Sequence, residues 1–405
     1  MAFFVFGLCI IAIAWRHFGN TVNLSMPPAI SMKECEIARK SFEKQYGRSA
    51  DRDDVLSWLA EWYLARNRLA DAVICFAEIP SSHPVYGRMA RYQQGRSLLT
   101  LHRAIDAEQQ LRELIELEEI TPTISQELLV DARQLLRHIL EVELRFEERH
   151  LLLKGVVARG EADNFEVVAA CFPSQLRWNG PQAIAWMDEF YSVDSTHTVM
   201  RIAKGRYLTG QGKLQEARQL LEAVIIESPL DLRALAALIA CLTEADAPDE
   251  VDQLMARLPP STARDPWLLL LQRGDHALRN GRAKEAMAAY ERVIQSDRSS
   301  GQAWMGIANA AIPLGDMPKR AHALKMATGL GRIQNHLDKG LRQASDPNSF
   351  MDVADLCADL GMDREGWVMT EFARKFAPQN RRVLAHVELF KSRLAPGPNS
   401  SPGVK

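Results

Sequence analysis

The chain repeats itself. Residues 211–229, QGKLQEARQLLEAVIIESP, align with residues 280–297, NGRAKEAMAAYERVIQSD, after a shift of 69 positions, which is about two units of 34 or 35. Residues 66–84, RNRLADAVICFAEIPSSHP, fit the same template. A fixed period of this length restricts the fold to stacked supersecondary units, because a single unit cannot bury its own apolar face. The periodicity within each unit is helical. In 214–227, Leu214, Ala217, Leu220, Leu221, Val224 and Ile225 fall on one stripe at i, i+3, i+4 spacing. Almost no alternation of period two occurs from about residue 33 to 394, so the expected class is all-α.

The residues that recur are those two antiparallel helices need. Gly205, Gly274, Ala217 and Ala286 stand where the helices of a hairpin cross and a larger side chain would push the backbones apart. Gly212 and Gly281 stand in the hairpin turn, where φ > 0 is required. Pro229 and Pro378 end helices. Further units carry Leu56, Leu59, Ala60, Tyr63, Ala72 and Phe76; then Gly95, Leu98, Ala107 and Leu111; then Leu235, Leu238, Leu242 and Met255. Trp304, Ile307, Ala308, Gly315 and Leu324 follow, and Val353, Ala354, Gly361, Gly366 and Ala373 make the last.

These residues resemble the tetratricopeptide repeat, with its W-x2-L-G-x2-Y, A-x3-F and terminal Pro pattern, in a bacterial-type protein. The resemblance implies a right-handed superhelical solenoid of helix pairs. It is strong at 53–86 and 198–330, weaker at 88–121 and 347–380, and degenerate across 122–197. The expected organisation is an anchor segment at 1–18, a linker at 19–32 and N-terminal repeats at 33–121. Degenerate helical repeats follow at 122–197 and the core array at 198–330. A C-terminal repeat with a capping helix occupies 331–394, with 331–346 expected as an inserted helix, and a disordered tail occupies 395–405.

The start of the chain has a different character. Residues 2–15, AFFVFGLCIIAIAW, carry no charge, and Arg16, His17 and Phe18 follow. This reads as a single-pass membrane anchor spanning residues 2–18, somewhat short for a hydrocarbon core of roughly 30 Å. The rival readings are a cleaved signal peptide, which lacks a charged n-region, and a buried helix of the body. The cues to sidedness conflict. Arg16 and His17 argue for a cytoplasmic body, and the usual behaviour of N-terminal export signals argues for an extracytoplasmic one, which is the side taken as the expectation.

Motifs of chemistry are missing. Lys plus Arg number 49 and Asp plus Glu 51, a net charge of -2, so there is no basic surplus of the kind a nucleic-acid binder uses. No G-x-x-x-x-G-K-[ST] loop, H-E-x-x-H or C-x-x-C occurs, and Gly210-Gln211-Gly212 lacks both a third glycine and a preceding strand. Cys35, Cys75, Cys171, Cys241 and Cys357 lie mostly in apolar helical stretches and read as buried structural thiols. The expectation is therefore no enzyme, no cofactor, no metal, no nucleic acid and no small-molecule substrate. The acidic stretch from Asp106 to Glu148 reads as a solvated helix face.

What remains is partner binding. The resemblance implies a groove lined mainly by first helices, in which a segment of another protein lies. Carried onto this chain, the inward positions are Tyr92, Arg96, Arg206, Thr209, Arg233, Asp275, Arg279, Gln302 and Asn309. Arg206, Arg233 and Arg279 would form a positive stripe suited to carboxylates of an extended or C-terminal peptide. The Asn and Lys clamp of relatives that bind chaperone tails is not reproduced. The resulting expectation is a membrane-tethered, non-catalytic interaction scaffold. The alternatives are a non-catalytic subunit of an enzyme complex, such as a glycosyltransferase, or an envelope assembly or secretion factor.

Overall fold

A computed structural model describes residues 30–122, 124–162, 164–175, 181–342 and 347–394. Among them lie twenty α-helices and no strand. In order they are α1 (Met32–Tyr46), α2 (Arg52–Leu64), α3 (Leu69–Ala77), α4 (Gly87–Thr100), α5 (Ala104–Ile120), α6 (Gln126–Val142) and α7 (Phe146–Ala158). Next come α8 (Asn164–Cys171), α9 (Pro181–Val193), α10 (Thr198–Gly210), α11 (Leu214–Glu227), α12 (Leu232–Glu244), α13 (Pro248–Arg257) and α14 (Trp267–Arg279). The last are α15 (Ala283–Ser296), α16 (Gly301–Ala311), α17 (Met317–Arg342), α18 (Pro347–Leu360), α19 (Asp363–Phe376) and α20 (Arg381–Leu394). The expected anchor at 2–18 and the tail at 395–405 lie outside the described residues. Among the described residues no helix is long and apolar enough to cross a membrane.

The hairpins share one turn. Gly212, Gly281, Gly315 and Gly361 have φ between 66° and 74°, and Asn67, His102, Leu144 and Asp246 occupy the same left-handed region at φ between 53° and 59°. The residue after the turn then donates back across the end of the first helix. Arg68 N bonds to the Tyr63 carbonyl at 2.9 Å, Lys213 N to Leu208 at 2.9 Å and Arg282 N to Ala277 at 2.8 Å. This is the Schellman closure, which satisfies an orphan carbonyl and fixes where the second helix starts.

The chain divides into two units, one of Met1–Leu140 with Asp188–Ser195, the other of Glu141–Met187 with Thr196–Lys405. In the first, a core of Val55, Leu56, Tyr63, Ala72 and Phe76 joins α2, α3 and the start of α4. A capping box of Asp51 and Asp54 starts α2. Arg91, buried in α4, donates to the Phe76 and Ile79 carbonyls and so closes the end of α3, and it bonds Gln110 of α5 at 2.8 Å.

In the second unit, consecutive helices from α10 to α20 pack in sequence order. One tight junction is Tyr290 on α15, 1% exposed, which lies against two glycines. A Cβ on Gly274 or on Gly306 would come within 2.5 Å of its ring. Gly205 meets Leu221 in the same way, at 2.7 Å. The expected inserted helix at 331–346 is corrected. Residues 331–342 continue α17, because Ala323, Met326, Leu330, Ile333 and Leu337 keep one fully buried stripe running without a break.

The acidic stretch is corrected in part, for Glu116, Glu119 and Glu127 are exposed as expected. Glu118 is 3% exposed and Glu143 2% exposed, so neither is on a solvated face. Glu118 faces Arg88 at 3.4 Å, Glu143 pairs with Arg145 at 2.7 Å, and Glu141 with the wholly buried Arg149 at 3.0 Å. Carboxylates placed this deep persist only with such partners.

Two substitutions test these junctions with opposite signs. Gly306→Ala should destabilise the second unit by about 1–3 kcal/mol, because the Tyr290 ring has no room to move. Asp246→Gly should stabilise it by about 1 kcal/mol, since glycine carries no left-handed penalty. Denaturant midpoints of the two variants should move apart; a shift in the same direction would contradict this packing.

Candidate partner-binding cleft

Counting back from each left-handed turn residue gives a common register for the first helices. Thirteen positions before the turn stand Val199, Arg233, Leu268 and Gln302; ten before stand Ile202, Ala236, Leu271 and Met305; six before stand Arg206, Ala240, Asp275 and Asn309. A cleft of about 680 Å³ in the second unit is lined by all four of the first set, by Ile202, Ala236 and Leu271, and by Arg206. It therefore follows one face of α10, α12, α14 and α16. The opposite wall is not part of that series. It comes from Glu143–Phe146 and from Glu147, His150, Leu151 and Lys154 of α7.

Several contacts seat this wall on the array. Glu147 accepts the first backbone N–H of α14, from Trp267, at 2.8 Å, which places a carboxylate at a helix N-terminus. His150 lies edge-on to Trp267 with ring centroids 5.6 Å apart. Arg149 donates to the Pro173 carbonyl at 2.7 Å. Beyond α8, Ser174 N donates to the Ser299 hydroxyl at 3.1 Å and Gln175 to the Ser299 carbonyl at 2.7 Å. Glu147, Ser174 and Gln175 thus bond to residues more than a hundred positions later in the chain.

The positions expected to bind a partner are distributed as follows. Arg206, Arg233 and Gln302 line the cleft. Arg206 donates to the Leu144 carbonyl at 2.6 Å and stands over the Phe146 ring. Arg233 pairs at 3.1 Å with Asp231, the residue that caps its own helix. Both guanidinium groups are thus engaged within the chain. Thr209 bonds back to the Gly205 carbonyl at 2.9 Å. Asp275 is also outside the cleft lining and accepts from the Tyr290 hydroxyl at 2.5 Å; burial raises its pKa, a shift the Tyr290 bond opposes. Asn309 and Arg279 are exposed and do not line the cleft, and Arg279 stands out of the common register. In the first unit, Tyr92 is buried and donates to Asp131, and burial with that carboxylate raises the phenol's pKa; Arg96 is exposed.

Sequence reasoning missed Leu151, Lys154, Arg264 and Trp267, because none of them belongs to the repeated pattern of inward first-helix positions. A signal was present for others. The position six before the left-handed residue is polar or ionisable at seven of the eight such turns among the described residues, as Glu61, Arg96, His138, Arg206, Asp275, Asn309 and Asp355. Burial shifts two of these far from their ordinary values, pushing the Glu61 carboxyl up to about 7 and the His138 imidazole down to about 4. Burial raises the Cys75 and Cys171 thiols to about 12, which leaves them un-ionised and unreactive. Among the described residues no three His, Cys, Asp or Glu side chains converge on a metal position.

Residues 208–273 and 271–329 match models of the tetratricopeptide repeat, so this part of the chain carries such repeats. No curated protein matches the chain. Among solved structures, the P58(IPK) TPR domain is 16% identical, covering 84% of this chain and 98% of that one, at a TM-score of 0.27. A tetratricopeptide repeat protein from Parabacteroides merdae is 10% identical over 64% of this chain and 98% of its own, at 0.30. PilW, a type IV pilus biogenesis factor, is 15% identical over 64% and 99%, at 0.26.

The cleft makes its wall acid-sensitive. Burial, with Lys154 and Arg149 nearby, pushes His150 down to about 4 from 6.5. Between those values the unfolded chain binds the extra proton and the folded chain does not. The stability His150 confers is complete above pH 6.5 and is lost as pH falls through 4. His150→Asn should flatten the fall in denaturant midpoint between pH 6.5 and 4; an unchanged slope would show that His150 is not held neutral.

Proposed function

We propose that the chain is a non-catalytic protein-interaction scaffold that captures a partner segment along the first helices of α10–α16. One observation carries this reading. The cleft follows equivalent positions of four successive hairpins, which is how a repeat array builds an extended preformed surface. A preformed surface loses little ordering entropy on binding, so a short segment can be held without the protein refolding. The mix of apolar floor and polar rim suits a polypeptide, whose backbone needs hydrogen bonds while its side chains need burial. By the same proposal, residues 2–18 tether the array to a membrane as a single-pass anchor, with the repeats on the extracytoplasmic side.

Two measurements test the two parts. Peptides selected on the full chain from a random library should bind Leu151→Trp/Gln302→Trp at least about tenfold more weakly, since both side chains are exposed and project at the cleft. Undiminished binding would remove the cleft from the function. Deleting residues 1–18 should move the protein from the membrane to the soluble fraction. Recovery of the intact chain in the soluble fraction would end the tether.

A further inference from the structure

The charges of the cleft are not equally available. Arg145, Lys154, Arg206, Arg233 and Arg264 line it, as do Glu143, Glu147, Glu148, Asp231 and Asp265, so the formal charges cancel. Every carboxylate, however, is already held. Glu143 and Glu148 share Arg145, at 2.7 and 2.6 Å. Asp231 has Arg233 and the first turn of α12. Asp265 has Arg273 at 3.0 Å, the Ser261 hydroxyl and Thr262. Glu147 caps α14. On the cationic side, Arg145 and Arg233 are neutralised by these same groups, and Arg206 donates to a carbonyl. Lys154 and Arg264 are exposed, and neither forms an ion pair among the described residues.

Apolar surface lies with them. Leu151, one turn before Lys154 on the same face of α7, is 67% exposed, and Trp267 stays partly exposed in the lining. An exposed leucine and a half-buried tryptophan beside two cations without an ion-pair partner make an amphipathic slot.

We propose that the slot between α7 and the first helices selects a partner segment in which an apolar side chain is flanked by Asp or Glu. This rests on the scaffold reading above and adds the sequence class of the partner and the residues that choose it. The apolar side chain is buried against Leu151 and Trp267, and the carboxylates meet Lys154 and Arg264. Because the formal charges of the lining cancel, the slot has two local cations and no extended positive field, so the preference is for a locally acidic segment rather than a nucleic-acid backbone. The choosing residues stand outside the repeated pattern, on α7 and on the loop before α14.

The test uses the full chain and a displayed random peptide library. Selection on the wild-type chain should enrich peptides that combine Asp or Glu with Leu, Phe or Trp. Lys154→Glu/Arg264→Glu should bind those peptides at least about tenfold more weakly. Lys284→Glu, a reversal on an exposed face of α15 away from the cleft, should bind them normally. Enriched peptides without carboxylates, or equal binding by the double reversal, would overturn the acidic preference. If the peptides also ignore Leu151→Trp/Gln302→Trp, the scaffold reading fails with it. If they respond to those bulky variants but not to the charge reversals, only the present inference falls.

Discussion

The left-handed residue at each hairpin turn sets the geometry on which everything else rests. It reverses the chain in the fewest residues and aims the following N–H back at the first helix, as Asp316 N does to the Ala311 carbonyl at 3.0 Å and Met362 N to Cys357 at 2.9 Å. With the turn fixed, the second helix starts at a fixed rotation about its axis, and one stripe of each helix faces its partner. In α10, α12, α14 and α16 another stripe of the first helix is then left to line the cleft. The lining of the cleft by positions thirteen and ten before the turn is a consequence of that closure, not of any single contact. The turn also explains why non-glycine residues are tolerated there. Asn67, His102 and Asp246 each carry a penalty of about 1 kcal/mol or more, and the same closure of the helix end, from Arg68, Arg103 and Ala247, holds them in place.

Much of this was legible in the amino-acid order, because it depends on local rules. Gly212 and Gly281 announce turns, and Gly274 announces a crossing, since no other residue fits beside Tyr290. The degenerate stretch at 122–197 was harder for a physical reason. Its turn uses Leu144, a residue that says nothing about φ, where the strong units use glycine. The length of α17 was misjudged for a related reason. Gly329 and Gly331 look like a break, yet Gly329 is small because Leu360 of α18 packs against it, with 2.6 Å left for a Cβ.

What could not be read was what covers a helix face from far away in the chain. A period shows which residues share a face, but a face rich in glutamate looks solvated unless its arginines are seen to converge. Glu141 and Arg149 are eight positions apart and their pairing is local, yet Arg149 also donates to the Pro173 carbonyl beyond α8. Glu147 caps a helix that begins at Trp267. Such contacts have no period, so no repeat analysis reaches them.

This limit bears on how an array of near-identical hairpins becomes selective. Equivalent positions of successive first helices give length and shape, but a surface built by repetition differs little from one hairpin to the next. Here two of the arginines on that surface are already engaged, Arg206 by a carbonyl and Arg233 by its own cap. The groups left uncommitted, Lys154 and Arg264, come from segments that break the repeat. Residues of α7 line the same cleft as the first helices, which places non-repeated side chains beside repeated ones. Discrimination is a difference between affinities, and it grows when a wrong partner must leave a charge unpaired or push against a fixed carboxylate. A groove with one repeated wall and one unique wall can do both, because the first wall orients the segment and the second tests its charges.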